Sequence, residues 1–196
     1  MFLYHYTNDR NLKRILEGTS DCSHKDQRTG KRVTGVDARG LWPHKRFLSL
    51  GAADGMPDEA FDAWTFAFLE RVSKTHAANP EFPNLWTHFL DYFISSCHRD
   101  DATAIVLLRF EAQPDDGAFV IDKAPIERLL YKLDGRPLER EHRRAKSLAY
   151  QQVWATKTPL DEYKGGFSVP EVIIKHPIMP ERLEEVTRMT VARQEY

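Results

Sequence analysis

The chain of 196 residues is poor in several things that would have narrowed its function at once. It has two cysteines, Cys22 and Cys97, far apart and in no metal-ligand spacing. That excludes a disulfide scaffold and a structural zinc finger, and it points to a reduced compartment. No run approaches the eighteen consecutive apolar residues of a membrane span, and the first residues are not a basic-then-apolar leader. Walker A and GxGxxG patterns are missing, so the usual nucleotide-binding folds are not indicated. No residue type is repeated at a fixed period, and no tract is of low complexity. Charge of one sign is lacking too. With 28 Lys or Arg and 29 Asp or Glu the formal net charge is −1, which singles out neither nucleic acid nor an acidic partner.

What is present suffices for one sizeable core. Apolar residues make up 41% of the chain, and its length suits a single domain over residues 1–196. The distribution of charge is uneven. Through Arg46 there are ten Lys or Arg against five Asp or Glu, whereas 54–70 holds five acids and no base. A basic first quarter suits a polyphosphate ligand, or simply a solvated loop.

The elements read as a mixture. Phe2-Leu3-Tyr4-His5-Tyr6-Thr7 alternates as a strand, with Leu3, His5 and Thr7 on one face and the aromatics Phe2, Tyr4 and Tyr6 on the other, core-like face. Asn8 can cap a helix with a Leu12, Ile15, Leu16 stripe, stopped by Gly18. Residues 19–40 read as a long basic loop. A strand is expected over 46–50 and a helix over 58–73, carried by Ala60, Phe61, Trp64, Phe68 and Val72. A second helix starts at Pro83-Asn84, with Trp86, Phe89, Leu90, Phe93, Ile94 and Cys97 on one face. A central strand follows over 104–110. Asp115-Asp116-Gly117 signals a hairpin into a strand over 118–121. Pro125 opens a short helix, 150–155 reads as a strand, and 168–175 as a β-branched strand entered by Glu171. A last short helix or strand starts at Arg182. Strands and helices without regular β-α alternation indicate an α+β fold.

Three segments carry chemistry. His5 and Thr7 place an imidazole and a hydroxyl two residues apart on one strand face. Arg46-Phe47-Leu48-Ser49-Leu50 puts Ser49 on the face of Phe47. Val169-Pro170-Glu171-Val172-Ile173-Ile174 opens an apolar strand with a carboxylate, a residue type strands disfavour. In this order the three resemble the ADP-ribosyltransferase superfamily, and within it small bacterial and phage toxin- or effector-like branches whose first strand reads Tyr-His-Tyr/Phe-Thr. The resemblance implies a split β-sandwich with helices packed around it. It also implies NAD as substrate, no metal, and transfer of ADP-ribose to a protein or nucleic-acid acceptor.

The resemblance further assigns roles. Glu171 would be the catalytic carboxylate, following a mobile loop with Gly165-Gly166. His5, Tyr6 and Thr7 would bind NAD, with Ser49 bracing the nicotinamide ribose and Phe47 stacking on the nicotinamide. Tyr150 and Tyr163 are further stacking candidates, and Glu162 and Glu111 are fallback acids. The family's second acid or glutamine, two residues before the glutamate, is Val169 here, which argues against an arginine acceptor and leaves NAD hydrolysis open. His5 and Glu171 are expected in one cleft, with the first strand buried, central and close to the strand at 168–175. The eight histidines lie singly in sequence, without metal-site spacing. The loop at residues 19–46 and the cluster Arg140, Arg143, Arg144 and Lys146, with Trp42 and Trp154 close by in sequence, could hold a nucleic-acid acceptor. The expected setting is a monomer in a cytoplasm, or one delivered into a target cell, with an antitoxin or host protein as partner. Two other classes fit the same residues: a catalytically inactive binding or immunity module on this fold, and an RNA 2′-phosphotransferase-like enzyme, which would draw on the arginines.

Overall fold

The computed structural model describes residues 1–46, 56–71, 74–132 and 142–192. The expected strand over 46–50 therefore lies largely outside the described residues, Phe47 and Ser49 included. Among those described, no helix is long and apolar enough to cross a membrane.

Strand β1 (Phe2–Asn8) runs straight into helix α1 (Asp9–Glu17). The junction is made by Asn8, whose side-chain oxygen accepts the Asn11 N–H at 2.8 Å, satisfying an orphan donor of the first turn. Gly18 ends the helix at φ 66, and its N–H donates to Arg14 O. A side chain there would be strained and would also meet the Gly35 carbonyl. The long basic loop is partly ordered as a small ribbon of β2 (Ser23–Lys25) and β3 (Arg32–Thr34).

Two larger sheets follow. The first is three-stranded, with β6 (Ala104–Glu111) central between β1 and β10 (Glu184–Thr190), all antiparallel. The second is five-stranded, in the order β4 (Lys45–Arg46), β5 (Ala63–Ala67), β9 (Pro170–Ile174), β7 (Ala118–Asp122), β8 (Thr158–Pro159). Four further helices are described: α2 (Lys74–Ala77), α3 (Leu85–Arg99), α4 (Ala124–Lys132) and α5 (Arg143–Ala155). The architecture is α+β.

One face of the five-stranded sheet, through Val120, Val172 and Ile174, shares a core with Leu3 of β1 and Phe110 of β6. The opposite face, through Trp64, Ile121 and Ile173, is covered by Val153, Tyr150 and Trp154 of α5 and Ile126 of α4. A third cluster seats Tyr6, Phe68, Ile105 and Leu107 on Cys97, Phe89 and Phe93 of α3. Leu12 of α1 covers Val106 and Leu108. Strand β9 has all five residues buried, so apolar residues on both of its faces are required.

Several expectations are corrected. Residues 58–71 are a 3-10 turn (Asp58–Phe61) and then β5, not one helix. Trp64, Phe66 and Phe68 fit a two-residue period as well as Ala60, Trp64 and Phe68 fit a helical one, and pairing with β4 and β9 decides for the strand. Residues 150–155 are the end of α5, not a strand. There Ala149 and Val153 form a buried i, i+4 pair, and Tyr150 and Trp154 a partly buried one beside it. The segment after β6 is not a hairpin, because β6 and β7 belong to different sheets. Pro114–Asp116 is a 3-10 turn and Gly117 is left-handed at φ 61, while the buried Asp116 carboxylate accepts the Gln113 N–H and pairs with Arg182. Strand β1 is the edge of its sheet rather than central, and β5 stands between it and β9. Phe2 is exposed, whereas Leu3, His5 and Thr7 are buried, so the expected inner and outer faces are not separated by polarity.

Candidate functional site

A cleft of about 640 Å3 opens between the end of β1, α1, α3 and the start of α4. This lies within the roughly 300–1,000 Å3 span of small-molecule sites. Glu171 and His5, near the two ends of the chain, both line it.

His5 is held by the other sheet. Its Nδ1 lies 2.7 Å from the Phe66 carbonyl. A carbonyl only accepts, so Nδ1 carries the proton, and in the neutral ring Nε2 is the acceptor nitrogen. Thr7 is buried and also lines the cleft. Tyr6 reaches the cleft but is anchored as core: its ring packs edge-on to Phe68, Trp86 and Phe89, and its hydroxyl donates to Arg71 O at 2.7 Å. Burial pushes the Tyr6 phenol above its usual range, with Arg71 opposing.

Glu171 occupies the second position of β9, opposite Ile121 of β7. Alternation puts it on the Ile173 side of the sheet, where α4 and α5 pack. The approach to it is fixed by Asp122, whose Oδ1 accepts the Val169 N–H at 2.9 Å and whose Oδ2 accepts the Ser168 N–H at 3.1 Å. The Lys123 N–H donates to Val169 O at 2.9 Å. Lys123 Nζ stands 3.1 Å from Glu171 Oε2, an ion pair between oppositely charged groups. The same ammonium lies 3.9 Å from Glu127 Oε1, one helical turn on.

These charges act on one another. Burial pulls the Lys123 ammonium down, but Glu171 and Glu127 outweigh it and hold it above the usual lysine range. Burial pushes Glu127 up, joined by Glu171 and opposed by Lys123 and His88. His76, buried beside Phe68, is lowered to about 4 by burial and by Lys123, against the pull of Glu171. It is neutral at pH 7. Burial also raises the Tyr150 hydroxyl, with Glu127 adding and Lys123 opposing.

Of the remaining candidates, Phe47, Ser49 and Arg140 lie outside the described residues. Glu162 and Glu111 do not line the cleft; Glu111 is exposed beside the N-terminal ammonium. Tyr163 packs on Phe167 and accepts its N–H, away from the cleft. Trp154 packs against Trp64 and the Lys157 ammonium. Trp42 is buried, stacks on His24 and donates to Arg39 O. Trp154 does not line the cleft, whereas Trp42, with His24, does. Arg144 is exposed on the first turn of α5, and Lys146 lies over the Tyr150 ring.

Sequence reasoning missed Lys123 and Glu127 altogether. The available signal was a lysine closing the apolar strand 118–121, with a carboxylate at i+4 in the helix that Pro125 opens. It also missed that five of the eight histidines (His5, His24, His44, His76 and His88) converge on this cleft. Among the described residues, no group of three or more His, Cys, Asp or Glu could hold a metal ion. No family model, no curated protein and no solved structure matches the chain.

Proposed function

We propose that the cleft binds NAD and transfers its ADP-ribose to an acceptor, on a split β-sandwich of the ADP-ribosyltransferase type. The observation that carries this reading is the meeting of His5 and Glu171 in one cleft, although they stand at opposite ends of the sequence. The shared core between the β1-β6 face and the β7-β9 face supports the fold reading.

In this reading the bond from nicotinamide to the ribose anomeric carbon breaks, its electron pair going to the ring nitrogen. The leaving group is a neutral base and needs little acid help. Positive charge develops on the ribose, and the Glu171 carboxylate lowers the energy of that cation. His5 accepts a ribose hydroxyl through Nε2, and its bond to Phe66 fixes the tautomer that does so. The acceptor is a protein or a nucleic acid. An RNA 2′-phosphotransferase-like site would need several arginines. Among the described residues Arg14 is the arginine lining the cleft, and it is paired with Asp21 at 2.8 Å.

The test is incubation of the purified protein with NAD carrying a label in the ADP-ribose half, with lysate protein, RNA and DNA in parallel. Nicotinamide release with label in an acceptor supports transfer, and release without label transfer marks hydrolysis. Absence of nicotinamide release under all conditions removes the reading and leaves a binding module.

A further inference from the structure

Two carboxylates and one ammonium meet in the wall of this cleft. The Glu171 and Glu127 side chains are 7% and 13% exposed, and Lys123 Nζ stands between them at 3.1 and 3.9 Å. They come from separate places in the fold: Glu171 from β9, Lys123 from the junction of β7 and α4, Glu127 from the first turns of α4. The main chain of Lys123 is tied to Val169, two residues before Glu171. The same stretch of chain is therefore held through both its backbone and its carboxylate.

Two carboxylates in one poorly hydrated site oppose each other's charge, and an interposed cation removes that opposition. An ammonium with three donors can serve both. The trio carries one net negative charge, which fits a cationic ring or a centre that becomes cationic and repels an anionic one.

We propose that Lys123 is a positioning residue of the cleft, bridging Glu127 and Glu171 so that Glu171 is presented to the ligand's cationic centre as a carboxylate in one fixed orientation. The cationic centre is the nicotinamide ribose of the reading above, on which this proposal rests. Glu171 and Glu127 hold the Lys123 ammonium above its usual range, and Lys123 in turn pulls against the burial that raises Glu127, as a bridging cation must. The groups facing it are His76 on α2, which senses Glu171 and Lys123, His88 on α3, which senses Glu127, and Tyr150 on α5, which senses Lys123 and Glu127.

The experiment compares the full chain with Lys123→Met, Lys123→Arg, Glu127→Gln and the double variant Lys123→Met/Glu127→Gln. Two readouts are taken: titration of the glutamate carboxyl carbons by 13C NMR, and the pH profile of nicotinamide release. Lys123→Met should move the glutamate carboxyl titration seen by NMR, and the acid limb of kcat, to higher pH, because loss of the nearby cation disfavours the ionised carboxylates. It should lower kcat at neutral pH by roughly tenfold or more, with KM for NAD changed only a few fold. Lys123→Arg should recover most of the rate. The double variant should bring the acid limb back, because one carboxylate no longer opposes the other. If Lys123→Met does not fold, Glu127→Gln alone decides, and its acid limb should move to lower pH than in the wild type. A folded Lys123→Met protein with the wild-type titration and the wild-type acid limb overturns the proposal, as does a Glu127→Gln limb that stays in place. If the NMR shift appears but no protein releases nicotinamide, the bridge stands and the transferase reading falls.

Discussion

Tyr4 and Phe68 exchange two main-chain hydrogen bonds, 3.0 Å from the Tyr4 N–H and 2.8 Å from the Phe68 N–H, and through them the two main sheets are joined. One residue further along β1, His5 reaches the Phe66 carbonyl. The joint that holds the sheets together thus also seats the imidazole of the cleft. Phe68 is buried against Tyr6, Phe89 and His76. Phe68→Ala should cost about 3–5 kcal/mol of stability, as deletion of a packed aromatic ring does. Urea unfolding at pH 7.5 measures it, and a loss below about 1 kcal/mol would mean that the joint is not structural.

Glu171→Gln keeps size and polarity while removing charge. It should lower nicotinamide release by roughly a hundredfold or more with NAD affinity within a few fold, because the lost interaction belongs to the transition state. His5→Ala should weaken NAD binding as well as rate. Single-turnover kinetics with a direct binding titration separate the two effects. Near-normal turnover in Glu171→Gln would shift the catalytic assignment to Glu127, the other acid beside Lys123 in the cleft.

Arg182 and Asp116 form an ion pair at 2.6 Å, with the Asp116 side chain only 3% exposed. Arg182→Met leaves that carboxylate buried without its cation and should cost about 3–5 kcal/mol. Arg182→Met/Asp116→Asn should recover a large part of the loss, since the uncompensated charge is gone. Equal unfolding midpoints for the single and double variants would assign the loss to packing instead.

His76 gives the protein a pH dependence of defined sign. Its folded-state value is lowered to about 4, against about 6.5 in the unfolded chain. The unfolded chain therefore takes up the proton first as pH falls. The stability His76 contributes is fully present above about pH 6.5 and is lost as pH falls through 4. The difference corresponds to about 3.5 kcal/mol at about 1.4 kcal/mol per pH unit. His76→Gln should flatten the stability profile between pH 6.5 and 4 relative to wild type. Parallel profiles for the two proteins in that window would rule the assignment out.

The sequence by itself determined the elements whose pattern has one reading. The Asn8 cap and Gly18 stop bound α1, the aromatic stripe of 86–97 made α3, and the apolar run of 104–108 made the central β6, all from local chemistry. Segments compatible with two periods were decided only by tertiary contact: 63–68 became a strand because β4 and β9 offered it hydrogen bonds on both sides. Residues 150–155 became helix because Tyr150, Val153 and Trp154 pack as one helical face on Trp64, Ile121 and Ile173 of the sheet. The site divides in the same way. His5 and Glu171 were legible because each is an unexpected polar residue in an apolar strand. Lys123 and Glu127 look like an ordinary surface pair in sequence, and only the pairing of β7 with β9 turns them toward Glu171. The gathering of five histidines is invisible to spacing for the same reason: proximity in a folded chain is set by sheet order and packing, which no local pattern encodes.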